Sequence, residues 1–395
     1  MNRFDDECGE YHRFAAGVDC RLSYITLPVG LPVIGRDSAQ EIVVVDNLAL
    51  DTVTQAAQEI VERHGSLDGI VGISEKDVLM TAHLRERMGM PGWRPEFIRR
   101  FKDKPTMKTL VRDAGLRVPH FVPLGPDTTA DDVLRELNLP VVLKPRQEAA
   151  SRGVVILYDA DSLKAALATV DPAAYECEDY ISGEIYHIDG VRRGGVFHFV
   201  SASRYLNTCL DFANGQPLGS VTVPDGDLRS RLFAFAAECF DALGLFDAPF
   251  HLEVIDDKDG GLVFLENAIR PGGAEIPFIN HDCFGADLFG EAFRATLGLP
   301  PMTEQADFTE PAAAGWVSIP EPRPFPSRVI YRESLLDAIP EIYAELLPPI
   351  GEVFDGTGGY DHIAGRFRLR GESEQQVEDA ALRIMRDYVV HSEPA

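Results

Sequence analysis

The stretch "PFHLEVIDDKDGGLVFLENAIRPGGAEIP" (residues 249–277) contains two strand patterns joined by a short polar turn. Both "PFHLEVI" and "GLVFLE" are rich in apolar and β-branched residues, which favours an antiparallel hairpin. Glu253 lies inside the first strand and Glu266 ends the second, so the hairpin places their carboxylates side by side. Buried like charges at that distance are costly unless a cation lies between them. A hard ion such as magnesium fits two oxygen ligands; two solvated surface glutamates are the alternative.

The residues directly after the hairpin form a second candidate element. Arg270 lies four residues beyond Glu266, and Gly272 and Gly273 leave the backbone behind it open. A planar guanidinium can hold a carboxylate or a phosphoryl group through parallel hydrogen bonds. The pattern therefore predicts a substrate contact at Arg270, with an ordinary surface turn as the alternative.

A loop of small residues lies about a hundred residues upstream. The segment "KPRQEAASRGVVI" (residues 144–156) places Lys144 at the end of the strand "LPVVLKP" and a second strand after Gly153. Small residues allow backbone N–H groups to approach phosphate oxygens, and the lysine adds charge. The loop lacks the GK[ST] ending of a Walker A motif. A hairpin turn with a solvated lysine is the alternative interpretation.

The first hundred residues alternate strand and helix patterns. An apolar run over residues 42–45 precedes a helical pattern that ends at Gly65, and "GIVGIS" (residues 69–74) predicts another strand before a helix over 76–88. This βαβα order is typical of a parallel sheet covered by helices. No GxGxxG follows the first strand, so an oxidoreductase built on a dinucleotide site has little support.

Proline-rich breaks divide the rest of the chain. After Pro91 and Pro95, "KPTMKTLVRDAGLRVP" (residues 104–119) predicts a short helix with Pro105 in its first turn. A second proline-rich stretch, residues 300–326, is a candidate boundary before a last segment that ends in a helix over 373–389. The predicted domains are residues 1–100, 101–182, 183–305 and 306–395.

Composition and charge narrow the function classes. The chain has 395 residues, of which 45% are hydrophobic and 25% charged, as in ordinary globular proteins. Its net charge of −26 disfavours binding to nucleic acid or to an anionic membrane surface. Six scattered cysteines without CxxC spacing indicate reduced thiols. With neither a signal-peptide pattern nor a long apolar run, we expect a cytoplasmic location.

The order of these elements resembles the ATP-grasp superfamily. The resemblance covers residues 100–300 and extends to both flanks. It implies a mixed α/β and α+β fold with an N-terminal βαβ (preATP-grasp) domain, central ATP-grasp subdomains and a C-terminal lobe. Within the superfamily, "IVGISEKDVLMTAHLRERMGMPG" (residues 70–92) and "DKPTMKTLVRDAGLRVP" (residues 103–119) look most like the dipeptide-forming amino-acid ligases, including carnosine-synthase-like enzymes. D-alanine–D-alanine ligase is a more distant likeness.

The resemblance assigns site roles position by position. "ECEDYISGE" (residues 176–184) looks like the adenine hinge, and "SRYLN" (residues 203–207) looks like a lysine-containing segment of the D-alanine ligases, with arginine in place of lysine. The implied nucleotide contacts are Lys104 and Lys144 for the phosphates, Ser151 and Gly153 in the covering loop, Glu178 for the adenine amino group, Asp179, Tyr180 and Ile181 for the ring edge, Glu184, and Arg204 against the triphosphate. Glu253 and Glu266 match metal ligands, and Arg270 matches the arginine that handles substrate and the transferred phosphate.

Two positions depart from the superfamily pattern. Many relatives hold the ribose with a glutamate where this chain has Ile185, and Glu184 lies one residue early, on the opposite strand face. His187 and Asp189 share the face of Ile185 and are candidates to line the pocket, with a structural histidine as the alternative. The frequent metal-binding asparagine is replaced by Ala268, which predicts weaker binding of a second ion.

The resemblance implies an enzyme that converts a carboxylate, expected to be that of an amino acid, into an acyl-phosphate and joins it to an amine. Its expected cofactors are ATP and Mg²⁺, with Mn²⁺ as a substitute, and its partners are small molecules; a homodimer is the expected assembly. Glu75 follows the predicted strand 69–74, a ligand-facing place in α/β sheets, so it is a candidate amine contact. The alternatives are an ATP-grasp ligase or carboxylase acting on another substrate, and a non-catalytic ATP-binding protein.

Overall fold

The computed structural model describes residues 1–257, 261–302, 313–357 and 362–395, and this part of the chain forms four sheets. The N-terminal unit is a two-stranded parallel sheet with helices around it. Its elements are α1 (Tyr11–Phe14), β1 (Leu22–Thr26), β2 (Ala39–Val44), α2 (Leu50–His64), α3 (Asp77–Arg87) and α4 (Pro95–Arg99). Helix α2 buries Val53, Ala56 and Ile60 at helical spacing.

The prediction of a strand over residues 69–74 was wrong. The partner of β2 is β1, and the next position beside β1 is taken by the N-terminus, because Asn2 bridges Thr26 and the Met1 ammonium donates to the Val71 carbonyl at 2.7 Å. Ile70 and Ile73 are nevertheless buried. The apolar pattern that predicted a strand therefore reflects burial alone.

The second unit is a four-stranded antiparallel sheet in the order β3-β6-β4-β5. Its elements are α5 (Lys104–Asp113), β3 (Phe121–Pro123), α6 (Ala130–Glu136), β4 (Val141–Pro145), β5 (Val155–Leu157), α7 (Ala160–Leu167) and β6 (Tyr175–Asp179). Helix α5 begins where Asp103 accepts a hydrogen bond from the Thr106 N–H, with Pro105 in its first turn, as the sequence predicted.

The third unit carries the hairpin. Its elements are β7 (Gly183–Arg193), β8 (Val196–Tyr205), α8 (Cys209–Ala213), β9 (Leu218–Thr222), α9 (Asp227–Leu243), β10 (Ala248–Asp257), β11 (Gly261–Ala268), α10 (Ile276–Phe284) and α11 (Leu288–Thr296). These strands belong to an eight-stranded sheet in which every neighbouring pair is antiparallel. One face packs on α9 through Phe240, Phe250 and Leu252; the other packs on α10 through Ile276 and Phe284.

The last segment completes that sheet. Its elements are β12 (Ala313–Ile319), β13 (Ser327–Arg332), β14 (Ile342–Leu346), β15 (Val353–Phe354), β16 (Gly365–Gly371), α12 (Glu374–Asp387) and β17 (Val390–Pro394). The sheet order is β11-β10-β7-β8-β9-β12-β16-β14, so it continues past the boundary predicted between residues 305 and 306, which itself lies outside the described residues. In the described part of the chain, no helix has the length and apolar character needed to cross a membrane.

Candidate active site

Glu253 and Glu266 lie directly opposite each other on the adjacent strands β10 and β11. This is the side-by-side arrangement that the hairpin pattern predicted. The Glu253 side chain is 12% exposed and the Glu266 side chain is 30% exposed. The Tyr205 hydroxyl donates to Glu253 Oε1 at 3.1 Å and fixes the inner carboxylate.

The charge state of Glu253 is set by its neighbours. Burial raises the pKa of this carboxyl, but His251, whose Nε2 lies 3.5 Å from Oε1, outweighs burial and holds the pKa below its usual value. Glu253 is therefore an anion at neutral pH. Two carboxylates on opposed positions form an oxygen donor set that suits a hard divalent cation, so these residues fit magnesium.

Lys104 connects the glutamate pair to the small-residue loop. Its Nζ lies 2.9 Å from Glu266 Oε2 and donates to the Glu148 carbonyl at 2.7 Å. Its backbone N–H donates to the Arg146 carbonyl, which joins the start of α5 to the end of β4. The first residue of α5 is thus placed between Glu266 and the small-residue loop.

The small-residue loop has an unusual backbone. Ala150 and Ser151 have φ values of 58° and 52°, and Gly153 has a φ of 70°. A Cβ at Gly153 would lie 2.9 Å from the Tyr175 hydroxyl and 3.0 Å from Pro145 Cγ. Both this lack of space and the left-handed φ therefore favour glycine at this position. The loop thus turns sharply between β4 and β5 and leaves its backbone accessible for a close ligand contact.

A second lysine lies in a buried charge cluster under the small sheet. Lys144 Nζ lies 2.6 Å from Glu178 Oε1, and Lys108 Nζ lies 2.7 Å from Glu176 Oε1 and 2.5 Å from Glu178 Oε2. Burial raises the pKa of Glu178, but the two lysines outweigh it and lower that pKa to about 2. Burial lowers the pKa of Lys144, yet Glu178, Glu176 and the more distant Glu266 together raise it.

Sequence reasoning missed Lys108, although it lies one helical turn after Lys104 on α5 and i,i+4 residues share a helix face. Its side chain is fully buried. Because both Glu178 oxygens accept from lysines, the contact expected between this carboxylate and an adenine amino group stays a prediction and would compete with those bonds.

The residues expected to contact the adenine ring, 179–181, follow Glu178 at the end of β6. The Asp179 N–H donates to the His120 carbonyl and the Tyr180 N–H to the Pro140 carbonyl. Asp179 Oδ1 also accepts from the Asn138 N–H at 3.2 Å, while Tyr180 is 43% exposed. These bonds anchor the end of β6. Ile181 lies between β6 and β7, where the two sheets join.

Arg270 and Glu75, both predicted to contact substrate, meet each other. Arg270 Nε donates to Glu75 Oε2, and Lys102 Nζ donates to Glu75 Oε1. Burial raises the pKa of Glu75, but Arg270 and Lys102 outweigh it and lower that pKa to about 2. The N-terminal unit thus contributes a carboxylate directly to the arginine that follows the β10–β11 hairpin.

Gly272 and Gly273 differ in their surroundings. A Cβ at Gly272 would lie 2.6 Å from Asp189 Oδ1 and 2.9 Å from two Ile276 methyl groups, whereas a Cβ at Gly273 would meet nothing within 4 Å. Gly272 therefore allows the turn to pack against β7 at Asp189. Gly273 leaves open space beside the turn.

Arg204 and Glu184 lie away from this site, which corrects their expected position. Arg204 is opposite Tyr186 on β7, and Glu253 is opposite His187. Since neighbouring strand residues point to opposite faces, Arg204 and Glu253 are on different faces of the sheet. Arg204 instead pairs with Glu378 of α12 at 2.6 Å, and Glu184 accepts from the Tyr186 hydroxyl on the same face.

A buried His–Asp–His cluster lies beside the glutamates. His187 Nδ1 lies 2.5 Å from Asp189 Oδ2, and His251 Nδ1 lies 2.8 Å from Asp189 Oδ1. Burial lowers the pKa of His251, but Asp189 and Glu253 outweigh it and raise that pKa to about 10. The three side chains are close enough to share a metal ion. The same contacts form a polar network that reaches Glu253, because His251 Nε2 lies 3.5 Å from Glu253 Oε1.

Comparison with known proteins places this site in context. Over 362 residues the chain is 22% identical to the L-arginine-specific L-amino acid ligase of Bacillus subtilis, covering 89% of this chain and 87% of that protein. It is 27% identical over 179 residues to D-alanine–D-alanine ligase of Neisseria gonorrhoeae, 43% of this chain and 58% of that protein. The crystal structure of L-amino acid ligase from Bacillus licheniformis superposes with a TM-score of 0.77 at 19% identity, covering 100% of this chain and 98% of that one. No protein-family model matches.

The sheets, their order along the chain and the full-length superposition define the ATP-grasp fold, which confirms the fold predicted from sequence. The resemblance to the amino-acid ligases of that superfamily is confirmed as well. The chain is an ATP-dependent carboxylate–amine ligase that forms a C–N bond.

Proposed function

We propose that this ligase activates the carboxylate of an amino acid as an acyl-phosphate and joins it to an amine, giving a dipeptide or amide with ADP and phosphate. The observation that carries the proposal is the opposed pair Glu253–Glu266 with Lys104, Lys144 and Arg270 gathered around it. The names of the relatives, two of them amino-acid ligases, support an amino-acid substrate.

Glu253 and Glu266 would hold Mg²⁺, with Mn²⁺ as a substitute, and the ion would neutralise charge on the ATP phosphates. Lys104 and Lys144 would add positive charge from the loop side. The backbone of residues 149–153 would cover the phosphates and keep out water, which otherwise hydrolyses an acyl-phosphate. The hinge residues 179–181 would hold the adenine edge.

Arg270 would orient the carboxylate. One carboxylate oxygen attacks the γ-phosphorus, the bond to the ADP oxygen breaks, and an acyl-phosphate forms. The amine nitrogen then attacks the acyl carbon, loses a proton and expels phosphate. Positioning and charge neutralisation supply most of the rate in such transfers, so a covalent nucleophile is not required. Glu75, which is bonded to Arg270, would contact the amine substrate.

The expected surroundings of the enzyme complete the proposal. All six cysteines are free thiols, which supports a reducing, cytoplasmic location. We also propose a homodimer, the commonest assembly of soluble enzymes. The divisions at residues 100, 182 and 305 stay predictions.

The test is release of ADP and phosphate from the purified protein with ATP, Mg²⁺ and amino acids, offered singly and in pairs, with mass spectrometry of the products. We expect release that depends on a particular pair and a product of dipeptide mass. Turnover that persists with chelator and without added metal would contradict the metal role. Turnover only with carboxylates that are not amino acids would overturn the substrate class and leave the ligase chemistry intact.

A further inference from the structure

The turn that carries Arg270 connects β11 to α10 and has an energetically unfavourable backbone. Ala274 has a φ of 51°, in the left-handed region that residues other than glycine rarely adopt. Such a conformation costs energy and persists only where the surrounding structure holds it. Within the turn, the Ile276 N–H donates to the Gly273 carbonyl at 3.3 Å, and Arg270 Nη1 donates to the Pro271 carbonyl at 2.6 Å. The conformation of the turn therefore depends on what packs against it.

Glu275, the residue after Ala274, binds the last segment of the chain. Its side chain is fully buried; Oε2 accepts from Arg368 Nε at 2.6 Å, and Oε1 lies 3.5 Å from Arg366 Nε. Both arginines belong to β16, and because they are two residues apart their side chains leave the strand on the same face. A buried carboxylate is costly without a positive partner. The arginines therefore fix where Glu275, and with it the end of the turn, can lie.

Arg368 is held in turn by α10. Its guanidinium carbon lies 4.0 Å from the centre of the Phe278 ring, and Nη1 lies 3.3 Å from Asp282 Oδ2. The same Asp282 oxygen accepts from the Tyr343 hydroxyl of β14 at 3.0 Å. A guanidinium presents its donors in a fixed planar fork and stacks on ring faces, so these contacts fix its orientation as well as its position. Arg368 thus extends along α10 from Glu275, directly before the helix, to Asp282 in its last turn.

Other parts of the chain hold the beginning of the turn. Arg270 bonds to Glu75 of the N-terminal unit, and a Cβ at Gly272 would lie 2.6 Å from Asp189 Oδ1 of the large sheet. Glu275 is only five residues after Arg270. Misplacement of a reacting group by about 1 Å, even when it is caused far from the chemistry, can lower a rate about 100-fold. A change at the end of so short a turn is therefore expected to reach Arg270.

We propose that Arg368 is a positioning residue: its bond to Glu275 sets the conformation of the turn 270–275 and so orients Arg270 toward the substrate carboxylate. The inference rests on the proposed role of Arg270 and gives the C-terminal segment a part in the same reaction. In this role Arg368 acts through Arg270 and does not itself contact the substrate.

Steady-state kinetics of arginine variants test this role. With ATP, Mg²⁺ and a pair of amino acids that the wild type joins, Arg368→Met should raise the KM for the activated amino acid at least about tenfold. The KM for ATP should stay within about twofold of wild type, because the expected ATP contacts lie outside the turn. Arg370→Met is the matched control and should leave both values unchanged. Arg370 lies two residues further along β16, where it is exposed and lies over the Tyr343 ring.

Two features of the design separate positioning from a general loss of structure. Partial unfolding lowers kcat in proportion to the folded fraction but leaves KM unchanged, so KM is the decisive quantity. Arg368→Met also leaves Glu275 buried without its closest counter-charge. The double variant Arg368→Met/Glu275→Gln, which contains neither charge, is therefore measured beside it and should show the same rise in KM.

A double-mutant cycle shows whether Arg368 acts through Arg270. In an Arg270→Ala background, Arg368→Met should raise the KM for the activated amino acid no further, because the group that it positions is already absent. Effects of the two substitutions that multiply would overturn the proposal. A wild-type KM in both Arg368 variants, where Arg270→Ala raises it, would overturn the proposal as well.

Amide hydrogen exchange reports on the turn directly and does not require turnover. The amides of residues 272–276 should exchange at least about tenfold faster in Arg368→Met and at the wild-type rate in Arg370→Met. Faster exchange in Arg368→Met, with a KM that even Arg270→Ala leaves unchanged, would overturn the proposed role of Arg270 and support Arg368 as the anchor of the turn. Wild-type exchange in Arg368→Met would overturn the anchor and leave the proposed reaction intact.

Discussion

Replacing Lys108 with methionine should destabilise the protein strongly, although Lys108 contacts none of the expected ligands. Its fully buried ammonium lies 2.7 Å from Glu176 and 2.5 Å from Glu178, and it also lies 4.5 Å from the centre of the Phe121 ring. In Lys108→Met the two buried carboxylates would share one lysine, Lys144, which is 2.6 Å from Glu178 but 4.0 Å from Glu176.

The expected cost follows from that geometry. Removing one partner of a buried ion pair costs about 3–5 kcal/mol, because the remaining charge is left uncompensated. Glu176 Oε2 already has no hydrogen-bond partner among the described residues, so nothing nearby is available to replace the lysine. We expect a loss in the free energy of unfolding of about 3–5 kcal/mol at pH 7.

The loss should depend on pH in a definite direction. The lysines hold the pKa of Glu178 at about 2, below the ordinary value of about 4.3. A carboxylate whose folded-state pKa is lowered contributes stability that is complete above its unfolded pKa and is lost as the pH falls toward its folded pKa. The difference between wild type and Lys108→Met should therefore be largest above about pH 5 and shrink between about pH 4 and 2.

Urea unfolding followed by circular dichroism measures the loss, with the KM for ATP as a second readout because Lys144 depends on Glu178 for its position. Lys164→Met, a change at an exposed lysine of α7, is the control and should stay within about 0.5 kcal/mol of wild type. Adding Glu176→Gln to Lys108→Met should recover part of the loss. A cost below about 1 kcal/mol, or no recovery in the double variant, would refute the account of a mutually dependent buried cluster.

Three further outcomes are expected. Glu253→Gln should lower kcat by more than the roughly 10–100-fold that is typical when a residue bonded to a metal ligand is changed. Glu184→Gln, on the opposite face of the sheet, should change kcat by less than about twofold. Equal losses for the two variants, measured as phosphate release over a Mg²⁺ titration, would contradict the metal role. Arg204→Ala should leave the KM for ATP unchanged and cost at most about 1 kcal/mol of stability, and a tenfold rise in that KM would place Arg204 at the triphosphate after all. Gly272→Ala should reduce kcat/KM at least about tenfold, because a Cβ 2.6 Å from Asp189 Oδ1 forces the turn to move. Gly273→Ala is the control and should leave kcat/KM unchanged, since a Cβ there meets nothing within 4 Å. Similar kinetics for the two variants would argue against close packing of the turn.

The features that the sequence predicted well are local ones. The β10–β11 hairpin needs only two strand patterns and a short turn, and antiparallel pairing then puts Glu253 opposite Glu266. Helix α5 has Pro105 in its first turn, as the pattern predicted. Such signals act over a few residues of chain and do not depend on the rest of the fold.

The features that it missed depend on distant partners. Arg204 and Ser203 are adjacent in sequence, yet only Ser203 faces the site, because the pairing of β8 with β7 decides which residues point to α10. A shift of one residue in that register would exchange them. Lys108 acquires its role from glutamates 68 and 70 residues away. The strand predicted over residues 69–74 was wrong because burial and strand pairing give the same apolar pattern.

The charges of the site explain how so acidic a chain can bind a nucleotide. The net charge is −26, and each cation expected to meet ATP or the carboxylate already has an internal anion: Lys104 has Glu266, Lys144 has Glu178 and Arg270 has Glu75. Ligand binding is therefore an exchange of partners. A divalent ion on Glu266 would compete with Lys104 for the same carboxylate and so would release this lysine toward the phosphates. In the proposed site, metal and nucleotide would then strengthen each other's binding, since each would remove the bond that opposes the other, and such a linkage is reciprocal.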